Sequence, residues 1–248
     1  MNYNSYYETA ATNFDDNRLD GNDEVEEHCS WFAENIDVSK TYTLLDIGCG
    51  TGRYTQSFAN RGILVIGIDK SQQQIQVASK KVPAMNVDAL SLPFPNHSFD
   101  LISAIMMLQQ IDSFAMKVLF NNMNKVLKKD GKIWIKTCSQ ADLDRRPFYD
   151  FFPSALNLNV SRYPTIRKLL EVAKSYEFFC LRKTCKCNNY SIIGADLLSR
   201  FRKKHNTTLH LLSQKELDMG LMMMEKRFNP SEQYSFQHYH TLIELSRQ

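Results

Sequence analysis

The sequence predicts an α/β protein built on a parallel sheet, and two observations carry this prediction. Short apolar stretches alternate with helical patterns along the first half of the 248-residue chain. The first such stretch runs into Leu-Leu-Asp-Ile-Gly-Cys-Gly-Thr-Gly at residues 44–52, a glycine-rich turn between a strand and a helix. Strands that alternate with helices are joined by right-handed crossovers, which makes them parallel and places ligands at their carboxyl ends.

Each element of this alternation has its own signal. Val25, Cys29, Phe32 and Ile36 recur at the spacing of one helix face and predict a helix over residues 21–37. Strands are predicted at residues 43–47, 64–69, 85–87, 101–105 and 132–137. Helices are predicted after Gly52, after the N-cap Ser71 through Ile75, Ala78 and Val82, and from Ala115 to Val126. Gly131 is predicted to stop the last helix in a left-handed cap conformation.

The glycines of the first turn predict a nucleotide-type cofactor site. Gly48, Gly50 and Gly52 each cost backbone entropy on folding, so we infer that a ligand lies against bare backbone there. Asp46 stands just before this loop. Its carboxylate would repel the pyrophosphate of a dinucleotide but attract a sulfonium or ammonium group. S-adenosylmethionine carries both cations and no phosphate, so it fits this loop better.

A second acidic residue supports a ribose-containing cofactor. Asp69 ends the second predicted strand about 20 residues after the first glycine, where a carboxylate can accept from both ribose hydroxyls. A nicotinamide dehydrogenase has the same arrangement and stays open as a minor alternative.

Five stretches then follow one another in a familiar order. They are residues 44–52, Val-Ile-Gly-Ile-Asp-Lys-Ser at 65–71, Asp-Ala at 88–89 with Leu-Pro-Phe at 92–94, Ser-Phe-Asp-Leu-Ile-Ser at 98–103, and Val-Leu-Lys-Lys-Asp-Gly-Lys at 126–132. Together they resemble the class I S-adenosylmethionine-dependent methyltransferases, in the small-molecule branch similar to ubiquinone and menaquinone C-methyltransferases. The resemblance covers residues 40–140. It implies one methyltransferase domain over residues 1–248, with a Rossmann-like, seven-stranded, mostly parallel sheet and helices on both faces.

The resemblance also implies the parts of a cofactor site. Asp69 is expected to hold the ribose diol, and Asp88, beside Ala89, to accept from the adenine amino group. Tyr7 and Arg18 would close over the methionine carboxylate, although this stretch also fits a loose terminus. The other expected cofactor contacts are Asp46, Gly48, Cys49, Gly50, Gly52, Lys70, Ile105 and Met106, and core packing explains Met106 equally well.

The second half of the chain is predicted to add a lid. By resemblance, an antiparallel strand is expected at residues 239–245, and strand six near 178–186. Residues 141–175 and 192–230 are then predicted to form helical lid insertions. Aromatic residues there could cup an apolar acceptor or simply pack a helical cap; they are Phe148, Tyr149, Phe151, Phe152 and Tyr163, preceded by Arg145 and Arg146.

The sequence names no catalytic residue. Methyl transfer mainly requires a nucleophile held in line about 3 Å from an already activated methyl group. Gln109 and Gln110 stand where many relatives carry a histidine pair, so a general base is not inherited from them. His28, His205 and His210 are candidates for a base, and each is more often a structural histidine.

Composition limits the partners. The formal net charge is +3 and the basic residues are dispersed, which argues against a nucleic-acid substrate and leaves a small-molecule methyl acceptor as the expected partner. No long apolar span is present, so no membrane crossing is expected. Six cysteines without a signal peptide indicate reduced thiols and a cytoplasmic protein.

Cysteine spacing leaves one further alternative. Cys185 and Cys187 form a C-x-C near Cys180, and His238 and His240 alternate later in the chain. A structural zinc site normally uses two C-x-x-C pairs, so no metal site is predicted. Thiols that bind trivalent arsenic would make the chain a metalloid methyltransferase, although cysteines alternating along a strand explain the spacing better. A methyltransferase-like module without turnover is the other alternative to an enzyme.

Overall fold

A computed structural model describes residues 21–143 and 147–247. The strands of these residues form one seven-stranded sheet in the order β3-β2-β1-β4-β5-β7-β6. Their bounds are β1 Thr43–Ile47, β2 Leu64–Asp69, β3 Ala84–Asn86, β4 Phe99–Ile105, β5 Leu127–Thr137, β6 Phe178–Ile193 and β7 Gln233–Arg247. Strand β7 is antiparallel to both neighbours, and the other pairs are parallel. The predicted Rossmann-like sheet is therefore confirmed.

The helices of the described residues occupy both faces of the sheet and its carboxyl edge. Their bounds are α1 Asn22–Ala33, α2 Arg53–Ala59, α3 Gln72–Ala78, α4 Ser113–Val126, α5 Gln140–Leu143, α6 Pro153–Arg162, α7 Ile166–Lys174, α8 Gly194–Arg202 and α9 Gln214–Arg227. Short 3-10 helices lie at Leu108–Gln110, Pro147–Asp150 and Thr207–Leu211. Within this part of the chain, no helix has both the length and the apolar character that a bilayer crossing requires.

Two apolar layers sandwich the sheet. One layer packs α4 and α7 on the sheet through Phe120, Leu169 and other fully buried side chains. The other packs α1 and α2 on the opposite face, where Phe32 stacks on Trp134 of β5. Neighbouring residues of a strand point to opposite faces, so β5 contributes to both layers. Buried apolar surface on both faces stabilises a parallel sheet.

A third apolar cluster lies beyond the carboxyl edge of the sheet. Pairing of β5 with β7 ends at Thr137 and Thr241, whereas β6 and β7 remain paired as far as Ile193 and Gln233. The outer halves of these two strands thus project as a hairpin. Residues 147–162 and 194–228, called the cap below, pack against this hairpin through the cluster that contains Phe152.

Two predictions for the second half need correction. Helix α7 lies within residues 141–175, but its Leu169 and Ala173 belong to the core under the sheet, so it is not part of the cap. Strands β6 and β7 are longer than predicted because their outer halves pair with each other, which no resemblance to the sheet itself indicated.

The turn before the inner half of β5 also differs from the prediction. Helix α4 ends at Val126, and the left-handed residue is Asp130, with φ of 64°. Gly131 is instead needed for space, because a Cβ there would lie 2.5 Å from Leu127 Cγ. Strand β3 also starts one residue earlier than predicted, at Ala84.

Candidate cofactor and active site

The glycine loop connects β1 to α2 at the carboxyl edge of the sheet, between β2 and β4. The backbone amides of Gly48 and Cys49 both donate to the carbonyl oxygen of Ile68, at 2.8 and 3.0 Å. The loop therefore folds back onto the end of β2. This fixes its height above the sheet and aligns it with the residues that follow β2.

All three loop glycines have left-handed backbone conformations, with φ of 71°, 56° and 82° at Gly48, Gly50 and Gly52. A Cβ on Gly48 would lie 2.8 Å from Met107 Cβ, so this glycine makes room for the protein itself. A Cβ on Gly50 would meet nothing nearer than Gln74 Oε1 at 3.7 Å. The expectation that a ligand touches bare backbone is thus best supported at Gly50.

Asp46 lies beneath the loop and is almost fully buried. Thr55 Oγ1 donates to its Oδ2 at 2.5 Å, and Ser103 Oγ donates to its Oδ1 at 2.7 Å. Burial raises the pKa of Asp46 to about 6, although both hydroxyl hydrogen bonds favour the charged form. The residue lines a cleft together with Gly48, Gly50 and Ile105.

Asp69 follows the same pattern at the end of β2. Its Oδ2 accepts from the Gly50 amide and its Oδ1 from the Ser71 amide, both at 2.9 Å. Burial raises the pKa of Asp69, and these backbone hydrogen bonds oppose the rise. A carboxylate has about four acceptor positions, so ribose hydroxyls can still bind beside the two amides. Asp69 therefore also fixes the glycine loop, a role that the sequence did not indicate.

The expected adenine side of the site is more open. Lys70 Nζ lies 3.5 Å from Asp88 Oδ2, and both side chains are substantially exposed. Asp88 Oδ1 also accepts from the Leu90 amide at 2.9 Å. Ala89 lies between Asp88 and Leu90 in the chain and is partly buried. Asp88 and Ala89 thus form an ordered turn after β3, where their contact with adenine remains a prediction.

The end of β4 lies on the other side of the glycine loop. Ile105 lines the cleft, and Met106 follows with φ of 51°, an uncommon conformation for a residue with a side chain. The Met106 amide donates to Lys136 O at 2.8 Å, which holds this turn against β5. The Met106 side chain packs against the cap cluster. Core packing therefore accounts for Met106, whereas Ile105 stays the better candidate for cofactor contact.

Cys49 is a loop residue whose side chain serves the fold. A Cβ on Gly67 of β2 would lie only 2.8 Å from Cys49 Sγ, so the thiol packs directly on that glycine. Burial raises the pKa of Cys49, which keeps the thiol neutral. The expected cofactor contact at this position is thus limited to its backbone.

Gln109 and Gln110 are both engaged by the protein. Gln109 Nε2 donates to Met106 O at 2.5 Å, and Arg162 Nη2 of α6 donates to Gln110 Oε1 at 3.1 Å. These contacts shape the loop after β4 and connect it to the cap. They do not place either glutamine on a reacting atom.

The three candidate general bases lie in two regions, His28 in α1 and both His205 and His210 in the cap. His28 is buried and its Nδ1 lies 3.0 Å from the Tyr54 hydroxyl oxygen. His210 Nε2 lies 2.9 Å from Lys204 O in the cap. Burial lowers the pKa of both His205 and His210. Tyr7, Arg18, Arg145 and Arg146 lie outside the described residues, so the predictions for them stay as they were.

The sequence did not indicate several residues that lie near the cleft. Tyr54 of α2 lines the cleft, and Lys136 Nζ donates to its hydroxyl oxygen at 2.8 Å. Lys136 is 1% exposed and also pairs with Glu24 of α1 at 3.1 Å. A lysine in the otherwise apolar run Ile-Trp-Ile-Lys at 133–136 was the available signal, since buried charges need partners.

The aromatic residues of the cap pack mainly on one another. Phe152 is fully buried and stacks on Phe201 with ring centroids 5.6 Å apart. Phe148 lies against Tyr149 at 4.0 Å. Of the two explanations for this aromatic segment, packing of a helical cap is therefore the one that these contacts support.

Comparison with known proteins agrees with this geometry. Residues 45–135 match a family profile described as a methyltransferase domain. Demethylmenaquinone methyltransferase of Staphylococcus aureus is 32% identical over 139 residues, which are 51% of this chain and 56% of that protein. The chain spans about half to three fifths of the length of this relative and of two other methyltransferases that it matches.

Solved structures of other proteins share the fold over most of this chain. A proposed methyltransferase from an antibiotic biosynthesis pathway of Anabaena variabilis has a TM-score of 0.66 at 16% identity, over 90% of this chain and 97% of that chain. A SAM-dependent methyltransferase of Methanosarcina mazei has a TM-score of 0.60 at 13% identity, over 88% and 96% of the two chains. Residues 45–135 thus match a methyltransferase domain, and the resemblance of the chain to the class I small-molecule methyltransferases, the quinone methyltransferases among them, is confirmed.

Proposed function

We propose that the protein binds S-adenosylmethionine and transfers its methyl group, by in-line displacement, to a small-molecule acceptor. One observation carries the proposal. The open backbone of Gly50, the carboxylate of Asp69 and the side chain of Ile105 meet at the carboxyl ends of three neighbouring strands. In open α/β sheets this edge is where ligands bind.

The charge of the site suits a cationic donor. Asp46 is buried and Asp69 is partly buried, both close to the glycine loop, and burial raises the pKa of each. A sulfonium nearby would favour their charged forms, whereas a pyrophosphate would oppose them. This supports S-adenosylmethionine over a dinucleotide as the cofactor.

The chain's own part in the reaction would be orientation and exclusion of water. Asp69 would hold the ribose, and the rigid turn at Met106 would limit how far the donor and acceptor can shift. The cap, which adjoins this turn, would act as the lid. Orientation of this kind can lower a barrier by several kcal/mol without a catalytic base.

The acceptor is assigned only as a small molecule. The methyltransferase profile ends at residue 135, before the cap begins at Pro147. The region that would contact the acceptor therefore lies outside that match. No observation favours a metalloid acceptor, because the three exposed thiols lie on β6, the edge strand, with β7, β5 and β4 between them and the glycine loop.

Calorimetric titration tests the cofactor assignment. We expect binding of S-adenosylmethionine and S-adenosylhomocysteine and none of NAD. Tight NAD binding without a response to S-adenosylmethionine would contradict the proposal. Turnover is then measured as S-adenosylhomocysteine release with small phenol, quinol and carboxylic acid acceptors. Binding without release from any class would favour a module that lacks turnover.

Asp69→Ala tests the ribose contact. Loss of a charged acceptor should weaken S-adenosylmethionine binding by roughly 1 to 3 kcal/mol. Asp218→Ala, on the exposed surface of α9, is the matched control and should bind as the wild type does. Circular dichroism of both variants verifies that the fold is kept. An unchanged affinity in Asp69→Ala would place the ribose elsewhere.

A further inference from the structure

A cluster of metal-binding side chains lies on the α1 face of the hairpin. It consists of Glu24 in the first turn of α1 and of His238 and His240 in β7. One ligand atom from each residue lies within 4.8 Å of the others. His240 Nδ1 is 3.2 Å from Glu24 Oε1, and the two histidine rings are 4.0 Å apart between centroids. His240 is 1% exposed and Glu24 8% exposed.

The strand geometry explains why these residues meet and the cysteines do not join them. His238 and His240 are two residues apart, so both point to the face that packs on α1. Their partners across the hairpin are Asn188 and Lys186, which both contact Glu27 of the same helix. Cys185 and Cys187 pair with Thr241 and Tyr239, and so project from the opposite face.

We propose that Glu24, His238 and His240 form a site for a divalent transition metal ion of the zinc type. Two imidazoles and one carboxylate are a ligand set that zinc commonly uses, with a fourth position left for water. Tetrahedral ligands about 2.0 to 2.1 Å from the ion are about 3.3 Å apart. Side-chain movements of up to about 1.5 Å would bring ligand atoms that now lie within 4.8 Å of one another to that spacing.

Lys136 sets the strength of this site. Its ammonium group lies 3.1 Å from Glu24 Oε1 and 2.8 Å from the Tyr54 hydroxyl oxygen. His240 Nδ1 lies against the same oxygen, Glu24 Oε1, at 3.2 Å, so a bound ion would share this carboxylate with the ammonium group. The ammonium charge opposes a divalent cation, so the site binds its ion less tightly than an unopposed histidine and carboxylate set would.

The position of the site gives it a structural consequence. A bound ion would tie α1 to β7 next to Tyr54, which lines the cofactor cleft. Metal binding would then stabilise the folded chain by mass action, because the unfolded chain does not hold these three ligands together.

Metal titration of the full chain tests the proposal. Protein freed of metal with a chelator is titrated calorimetrically with zinc chloride and, separately, with cobalt chloride. We expect one ion per chain and a higher thermal unfolding temperature with zinc. His238→Ala should lower the affinity more than tenfold, since even outer contacts of a metal site contribute 10- to 100-fold. Lys136→Met should raise the affinity several-fold.

Two controls separate this site from other metal binding. His97→Ala, in a turn at the opposite end of the sheet, should keep the wild-type affinity. Cys185→Ser with Cys187→Ser should keep it too, and the cobalt spectrum should lack a thiolate charge-transfer band. The spectrum needs only the wild-type chain, so it decides even where a variant fails to fold. Absence of stoichiometric binding, binding retained in His238→Ala, or a thiolate band would overturn the proposal.

Discussion

The region around the glycine loop, called the cofactor half, and the cap are each stabilised by a different kind of interaction. Around the glycine loop, two carboxylates accept hydrogen bonds from the protein: Asp69 accepts from the Gly50 amide, and Asp46 accepts from the Thr55 and Ser103 hydroxyls. In the cap, aromatic rings fix one another, as Phe152 and Phe201 do. The first arrangement leaves groups that can face a ligand, whereas the second uses its side chains internally. The cofactor half is thus organised by polar contacts and the cap by packing.

Phe152→Ala should show the largest difference between the two halves, because it should weaken the packing of the cap and leave cofactor binding unchanged. Removing a fully buried phenylalanine typically destabilises a protein by about 3 to 5 kcal/mol, through lost burial and the cavity left behind. Chemical denaturation should show that loss, while S-adenosylmethionine affinity below the unfolding transition stays at the wild-type value.

Phe114→Ala is the control for that variant, because Phe114 is 75% exposed and its removal should change stability by less than about 0.5 kcal/mol. A fall in cofactor affinity in Phe152→Ala would show that cap packing also shapes the cofactor half.

The pH dependence of stability tests the polar half. Burial raises the pKa of Asp46 from 3.8 to about 6, so the folded chain holds this proton more firmly than the unfolded chain does. The contribution of Asp46 to stability therefore falls as pH rises from about 4 to about 6. At 1.36 kcal/mol per pKa unit the loss is about 3 kcal/mol. Asp46→Asn should gain this much stability relative to wild type over that interval, as measured by denaturation at each pH.

Asp100→Asn gives a control of opposite sign. The Thr43 amide and the Lys128 ammonium group lower the pKa of Asp100, against its desolvation. Its contribution to stability is present above its ordinary pKa and is lost as pH falls through the lowered value. Asp100→Asn should therefore lose stability relative to wild type as pH rises through the range below about 4. The same sign in both variants would contradict the assigned environment of Asp46.

The turn within β5, at residues 128–131, gives the smallest expected effect, away from both the site and the cap. Gly131→Ala would place a Cβ 2.5 Å from Leu127 Cγ, and overpacking of this kind typically destabilises by about 1 to 3 kcal/mol. Asp130→Gly should change stability by less, between zero and about 1 kcal/mol in the stabilising direction, because φ of 64° suits glycine. Thermal unfolding of both variants measures the difference. A larger change in stability in Asp130→Gly than in Gly131→Ala would contradict this assignment and indicate Gly131 as the left-handed residue.

The cofactor half could be predicted closely because its signals are local. A strand such as β1 has its predicted bounds, and Ser71 caps α3 by accepting from the Gln74 amide, as its sequence context indicated. The hydrogen bond between Ser103 and Asp46 could not be predicted, because the two residues are 57 positions apart and no local sequence pattern distinguishes Ser103.

The second half was less predictable because its contacts are long-range. Alternation along a strand shows which residues share a face but not which element covers that face. His238 and His240 were therefore visible as a pair, whereas their neighbour Glu24, more than 200 residues earlier, was not. For the same reason α7 was assigned to the lid, although it packs under the sheet.

The hairpin of β6 and β7 carries a mechanical consequence. Residues 194–228 of the cap continue directly from its tip, where the Gly194 amide donates to Glu232 O at 2.8 Å and the Ala195 amide to Pro230 O at 3.0 Å. A two-stranded ribbon twists and bends more easily than it shears, because sliding would break its whole ladder of hydrogen bonds. We accordingly expect this part of the cap to move by a swing of the ribbon about the point where it leaves β5, near Thr241.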